Sequence, residues 1–407
     1  MPQAASHVQD IIEAMSIKYN NRVYEKRSRG EDVIALSFGE AYFDIPLFRF
    51  DDLPMPALYH YSHSRGIPEL RALLAEYYAS RYGVPVDPAT EIVVTAGSKI
   101  ALAMAFMAIL APGDEVLIQE PAWVSYPEQV RLCHGRPVRI PWDVEIADYG
   151  RFITGRTRAI VVNNPNNPTG KLVSDAEWRE LHRIAEAHDC FIVSDEAYSD
   201  YVLDPGDFVS AAAHDPAKAH TIVCNTLSKN YGMSGWRIGY VITNAELLYQ
   251  ILKLNQHLIT CPATVLEQYM ARHFHEVLRI TAPQIRAVVE KRAEVARMLD
   301  EAGLRYLPGE GTFYLFVSIQ GSRLGSEEFC TRLVDERGVS TVPGIGYGDS
   351  CDQFIRLSVG SESMERIRRG VEQIAEFLRE TAAGEPGVAP GERSGAHRRP
   401  GEPAGVA

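Results

Sequence analysis

The chain has 407 residues, a formal net charge of −12, 46% hydrophobic residues and 23% charged residues. That length exceeds what one hydrophobic core usually serves, the composition is ordinary for a soluble globular protein, and no uncharged apolar run approaches the roughly 18 residues of a membrane span. The acidity disfavours nucleic acid or an anionic membrane as the main partner, while leaving room for a local basic cleft around a small anion.

Taken in order, residues 1–30 read as a polar arm and an amphipathic helix, with Val8, Ile11, Ile12, Met15 and Tyr19 near helical spacing. Residues 36–46 break regular structure with Gly39 and Pro46, as a loop crossing between domains would, and residues 61–66 form a second loop. Residues 67–82 read as a helix ended by Gly83. From residue 91 a rhythm of short apolar runs sets in, with strands expected at 92–95, 116–119, 159–163, 190–194 and 221–225 and helices between them at 98–110 and 175–187. Ser174 and Glu177 give the second helix a capping-box start. Such alternation predicts an α/β fold with a mostly parallel sheet flanked by helices.

Beyond about residue 285 the pattern changes to a long helix over 285–302, two or three strand-like segments, and helices over 327–337 and 364–380, an α+β arrangement. The expected organisation is an N-terminal arm and part of a small domain (1–45), a large domain (46–284), a small C-terminal domain (285–383) and a disordered tail (384–407) rich in Gly, Pro, Ala and charge. The six cysteines are dispersed without CxxC spacing, so they read as free thiols with no metal site. No apolar signal segment opens the chain, and a cytoplasmic location is the expectation.

In parallel sheets ligands bind beyond the carboxyl ends of the strands, so the loops after the five runs should line one site. Those loops carry Gly97-Ser98-Lys99, Pro121-Ala122-Trp123, Asn166-Asn167-Pro168-Thr169-Gly170, Asp195-Glu196-Ala197-Tyr198 and Thr226-Leu227-Ser228-Lys229. Lys229 follows an apolar run, and Arg237 lies eight positions on, after a glycine-bearing turn. A lysine amine forms a Schiff base with an aldehyde, and an arginine fork holds a phosphate through paired hydrogen bonds. Pyridoxal phosphate carries both groups.

With these motifs in this order, the chain resembles the class I/II aminotransferases, pyridoxal-phosphate enzymes of fold type I, from the N-terminal arm to about residue 383. The resemblance implies that Lys229 is the Schiff-base lysine and that Arg237, Thr226, Gly97, Ser98 and Lys99 hold the phosphate. It sets Asp195 beneath the pyridine nitrogen, Tyr198 and Asn167 on the phenolic oxygen, and Trp123 against the ring. Gly39 and Arg356 take the substrate's α-carboxylate, and an arginine inside an apolar strand needs an anion in any case. Tyr61 reaches the phosphate of a neighbouring subunit, which implies a homodimer.

Two departures from the family pattern, Gly39-Glu40-Ala41-Tyr42-Phe43 and a Tyr61 loop without the usual proline, flank the substrate side. The expected reaction is ping-pong transfer of an amino group from an α-amino acid to a 2-oxo acid, with Lys229 as general base. Elimination, decarboxylation or oxidation on the same cofactor stays open at this point. A ligand-sensing regulator is a further alternative, although no helix-turn-helix precedes the core.

Overall fold

The computed structural model describes residues 2, 4–46, 50 and 52–382; the tail expected to be disordered lies outside them. The chain enters through the helix Met15–Ser28, which buries Tyr19 and Val23, and the short strand β1 (Ile34–Ala35). Ile11 and Ile12 lie in the coil ahead of that helix, so the apolar spacing read from the sequence overstates its start.

Strands β2 (Ile92–Thr95), β3 (Glu115–Gln119), β4 (Arg136–Ile140), β5 (Thr157–Asn163), β6 (Phe191–Asp195), β7 (Thr221–Thr226) and β8 (Gly239–Ile242) form one sheet in the order β2-β8-β7-β6-β5-β3-β4. Only β8 runs against its neighbours. Val, Ile and Leu fill the central strands because both faces are covered. Helices Ser98–Ile109 and Ala245–Leu258 pack Ala101, Leu102, Leu248 and Ile251 on one face. Helix Asp175–His188 packs Trp178, Leu181 and Ile184 on the other. Its start is the expected capping box, with the Glu177 amide donating to the Ser174 hydroxyl and the Glu177 carboxylate accepting from the Ser174 amide.

The C-terminal part contributes β9 (Tyr314–Ser318), β10 (Val339–Ser340), β11 (Val342–Pro343) and β12 (Phe354–Ser358). Strands β11, β12 and β9 form an antiparallel sheet, and β10 pairs in parallel with β1, which ties the N-terminal segment to this region. Instead of starting near residue 285, the long helix spans Thr264–Glu301 and passes through Pro283. The boundary expected at 284/285 therefore falls inside one helix. A proline removes one hydrogen bond there, but the buried stripe from Tyr269 through Ile285 to Leu299 holds the helix on both sides of it.

Candidate active site

The carboxyl ends of β5, β6 and β7, together with the loop after β2, converge on a cavity of about 200 Å³. Ser98, Lys99, Trp123, Asn167, Asp195, Tyr198, Thr226, Lys229 and Arg237 line it, and Gly39 and Arg356 close it from the segments around β1 and β12.

Lys229 sits in the single turn Leu227–Asn230 that follows β7, and its Nζ donates to the carbonyl of Gly39. Burial, reinforced by Arg356 and Arg237 and opposed chiefly by Glu40, lowers its pKa to about 8. Part of the amine is thus neutral and nucleophilic near neutral pH, whereas an ordinary lysine titrates near 10.4. Competitive acetic anhydride labelling of cofactor-free enzyme should show Lys229 reactivity rising with a midpoint near pH 8. A midpoint at or above about 10, the range of exposed lysines, would contradict the burial argument.

Asp195 ends β6 and is 6% exposed. One carboxylate oxygen accepts from the Tyr126 hydroxyl at 2.7 Å and the other from the Ala197 amide at 3.1 Å. Burial dominates these two donors and raises the carboxyl to about 6. A buried carboxylate of this kind gains from a cationic partner. The Tyr198 and Tyr314 hydroxyls are 3.0 Å apart. The Asn167 amide donates to Asn163 Oδ1 at 2.6 Å, which fixes the turn that follows β5.

Arg356 is 2% exposed, yet it has no carboxylate partner among the described residues. One Nη donates to the Ser37 carbonyl at 2.6 Å, the other reaches Asn167 Oδ1 at 3.4 Å, and Nε has no partner. The guanidinium stacks 4.3 Å from the Tyr314 ring centroid. A buried cation with an open donor calls for an anion in the cavity.

At the other end, Gly97 is the N-cap of helix Ser98–Ile109 with φ +90°, no side chain caps the helix, and its first two residues, Ser98 and Lys99, line the cavity. The Arg237 guanidinium lies so close that a Cβ at Gly97 would collide with it. Arg237 itself holds φ +57° in the left-handed region, a strained setting for a non-glycine residue. It donates to the Ser234 carbonyl at 2.6 Å and to the Ser228 hydroxyl at 3.2 Å. Thr226 Oγ1 bonds Ser228 Oγ and the Ile238 carbonyl. Lys99 places Nζ 5.2 Å from the Trp123 ring centroid, with its pKa lowered by burial and then by Arg237. Together these groups fit pyridoxal phosphate: a helix start, hydroxyls and a guanidinium for the phosphate, a lysine for the aldehyde, and a buried carboxylate for the ring nitrogen.

Tyr61 is not part of this cavity; it is 85% exposed in the coil ahead of helix Pro68–Tyr82. Sequence reasoning missed Tyr126, Asn163, Ser16, Asn20, Ser228, Ser234 and Tyr314, all of which line the cavity. Ser228 carries a readable signal, since it lies in the loop with Thr226 and Lys229 that is expected to line the site. Among the described residues no group of three or more His, Cys, Asp or Glu could hold a metal ion, and no helix is long and apolar enough to cross a membrane.

Residues 35–374 match the family model described as aminotransferase class I and II. The chain is 35% identical to a probable aspartate/prephenate aminotransferase of Aquifex aeolicus over 92% of its own length and 98% of that protein. It is 29% identical to aromatic-amino-acid aminotransferase 2 of Thermococcus litoralis, over 91% and 98% of the two chains. The solved aspartate aminotransferase of Thermus thermophilus with maleate superposes with a TM-score of 0.85 at 32% identity, covering 93% of this chain and all of that one. The fold is accordingly fold type I. The chain belongs to the class I and II aminotransferases, pyridoxal-phosphate enzymes that move amino groups from amino acids to 2-oxo acids.

Proposed function

We propose that this aminotransferase works with Lys229 as covalent anchor and general base, Asp195 as ring-nitrogen partner and Arg356 as the α-carboxylate clamp. The observation that carries the reading is the opposition, across one cavity, of a buried amine with lowered pKa and a buried guanidinium without a counter-ion. When bound, pyridoxal phosphate supplies an aldehyde that condenses with amines and a ring that accepts electrons from a bond broken at the substrate's Cα.

Gly97, Ser98, Thr226 and Arg237 would hold the phosphate in this reading, Trp123 would cover the ring, and Tyr198 and Asn167 would donate to the phenolic oxygen. Arg356, with the Gly39 backbone beside it, fixes the carboxylate and so sets which Cα bond faces Lys229. The lysine amine, neutral in part because of its burial, takes the proton from Cα and would deliver it to the cofactor's former aldehyde carbon. Fixing the carboxylate in that way favours deprotonation over its loss as carbon dioxide.

Relatives named for aspartate and for aromatic amino acids bracket the donor. Lys99, which the resemblance assigns to the phosphate, has no carboxylate partner among the described residues and lies against Trp123, so in this reading it is left for a second acid group of the donor. With amino acid alone and no oxo acid, the holoenzyme should release one equivalent of 2-oxo acid per site and stop, fastest with aspartate or glutamate. Continuous turnover yielding ammonia, carbon dioxide or peroxide would overturn the transamination mechanism, and faster reaction with alanine would overturn the donor class.

The working form in this reading is a homodimer, the commonest closed assembly, with Tyr61 and the segment 260–262 serving the neighbouring site. The exposure of Tyr61 outside its own cavity supports it. Hybrids of inactive Lys229→Ala and inactive Tyr61→Ala chains should regain up to about a quarter to a half of the activity per dimer, because a symmetric shared interface leaves one intact site. No recovery after verified subunit exchange counts against sharing.

A further inference from the structure

A second cavity, of about 430 Å³, lies behind the catalytic one, between the carboxyl ends of β3 and β5, the coil after β4 and the Leu307-Pro308 segment. Its size falls within the range of small-molecule pockets, and its volume is larger than that of the catalytic cavity. The walls are largely apolar, with Ile146, Tyr149, Val162 and Leu307 among them. Trp142 lines it while remaining 44% exposed, which leaves an aromatic face for an incoming group.

The charges on its lining are unequal. Lys171 is paired with Glu177 at 2.8 Å, and Glu120 is occupied by the amides of Asp349 and Ser350 and by Arg139. Asp143 and Glu145 also line the cavity, both exposed to solvent, and neither is ion-paired among the described residues. An organic anion, including an amino acid's carboxylate or a 2-oxo acid, meets two solvated carboxylates with no ion-pair partner here. A compact aromatic amine meets apolar walls, two carboxylates and an indole face suited to a cation.

Tyr126 and Asn163 are common to both cavities. Tyr126 donates to the Asp195 carboxylate and Asn163 Nδ2 to the Asp195 carbonyl at 2.9 Å, while Asn163 Oδ1 accepts from Asn167. We propose that this cavity is a second small-molecule site, for a small arylalkylamine, and that its occupant acts on Asp195 through the shared Tyr126 and Asn163 wall. The binding claim is independent of the roles assigned above; the effect on Asp195 rests on them.

Holoenzyme whose cofactor has been fixed to Lys229 with borohydride tests this, because free amines can no longer exchange into the catalytic cavity. Failure of that fixation would indict the Lys229 assignment and not the second site. In calorimetric titrations tryptamine should bind once per chain with Kd below about 1 mM, and indole-3-propionate at least about tenfold more weakly. Val162→Phe, which fills the cavity, should weaken tryptamine by about tenfold or more, with Leu307→Trp filling it from the opposite wall should the first variant not fold. Asp143→Asn combined with Glu145→Gln should bring the two compounds to within about threefold. No binding, a preference for the anion, or tryptamine affinity unmoved by both filling variants would overturn the site. Tryptamine binding that leaves the fluorescence of the fixed cofactor unchanged would overturn the link to Asp195 alone.

Discussion

Lys229→Ala is expected to lower turnover by at least about 10⁴-fold, since one side chain supplies both the covalent anchor and the general base, and a positioned base alone is worth about 10²–10⁴. Borohydride should no longer attach cofactor to the chain. Cofactor should still bind noncovalently, because Arg237, Ser98, the open start of helix Ser98–Ile109 and Asp195 are untouched. The fold should not suffer: the substitution removes a buried amine whose charge is disfavoured there, and leaves the Gly39 carbonyl as the one acceptor without its donor. Peptide mapping after borohydride reduction, with melting of wild type and variant side by side, checks each part. A variant that still carries reduced cofactor on its chain, or that keeps more than about a hundredth of the wild-type rate, would remove Lys229 from both roles.

How much of this could be read from the sequence follows from where each signal resides. Strands β3, β5, β6 and β7 are legible because central parallel strands need uninterrupted Val, Ile and Leu, which few other settings tolerate, and β2, although at the other sheet edge, is buried along its whole length and carries the same apolar run. Strand β4, Arg-Pro-Val-Arg-Ile, lies at the sheet edge, where one side needs no partner and proline and arginine are accepted, so it escapes the pattern. Strand β8 is four residues long and follows directly on the glycine-bearing stretch that carries Arg237, which hides it.

The same distinction applies to the site. Residues at strand ends, such as Asp195 and Thr226, are placed by local topology, and the position of the apolar run predicts where they point. Tyr126 is different: its bond to Asp195 joins residues 69 apart in the chain, and only the packing of helix Ser125–Leu132 against β3, β4 and helix Ser98–Ile109 brings it within reach. Ser16, Asn20 and Tyr314 come from segments whose approach to the cavity depends on the whole C-terminal sheet. Glu40 is instructive in another way. It matches the family pattern within a loop that departs from it at Ala41 and Tyr42, and it is the largest charge acting against the burial that lowers the Lys229 pKa and bonds Ser234 in the Arg237 turn.

For Asp195→Asn, activity and cofactor-free stability are expected to move in opposite directions. Loss of the negative charge under the ring nitrogen should cut kcat by about 10²–10³-fold, the scale of removing one preorganised electrostatic group, and weaken cofactor binding. In the cofactor-free protein the same carboxylate is a burden, because burial raises its pKa to about 6 from an ordinary value of 3.8. A carboxyl with a raised folded-state pKa binds more protons folded than unfolded between those values. It therefore costs nothing below about pH 4, and the penalty grows as pH rises towards 6, reaching a few kcal/mol by neutrality. Asparagine has the same shape, can still accept from Tyr126, and carries no such penalty. Melting temperatures of cofactor-free wild type and variant should therefore diverge between pH 4 and 7, with the variant gaining relative to wild type as pH rises. A variant whose kcat stays within about threefold of wild type would show that Asp195 is structural. A wild type that gains stability relative to the variant over that window would show instead that Tyr126 and Ala197 stabilise the carboxylate more than burial penalises it.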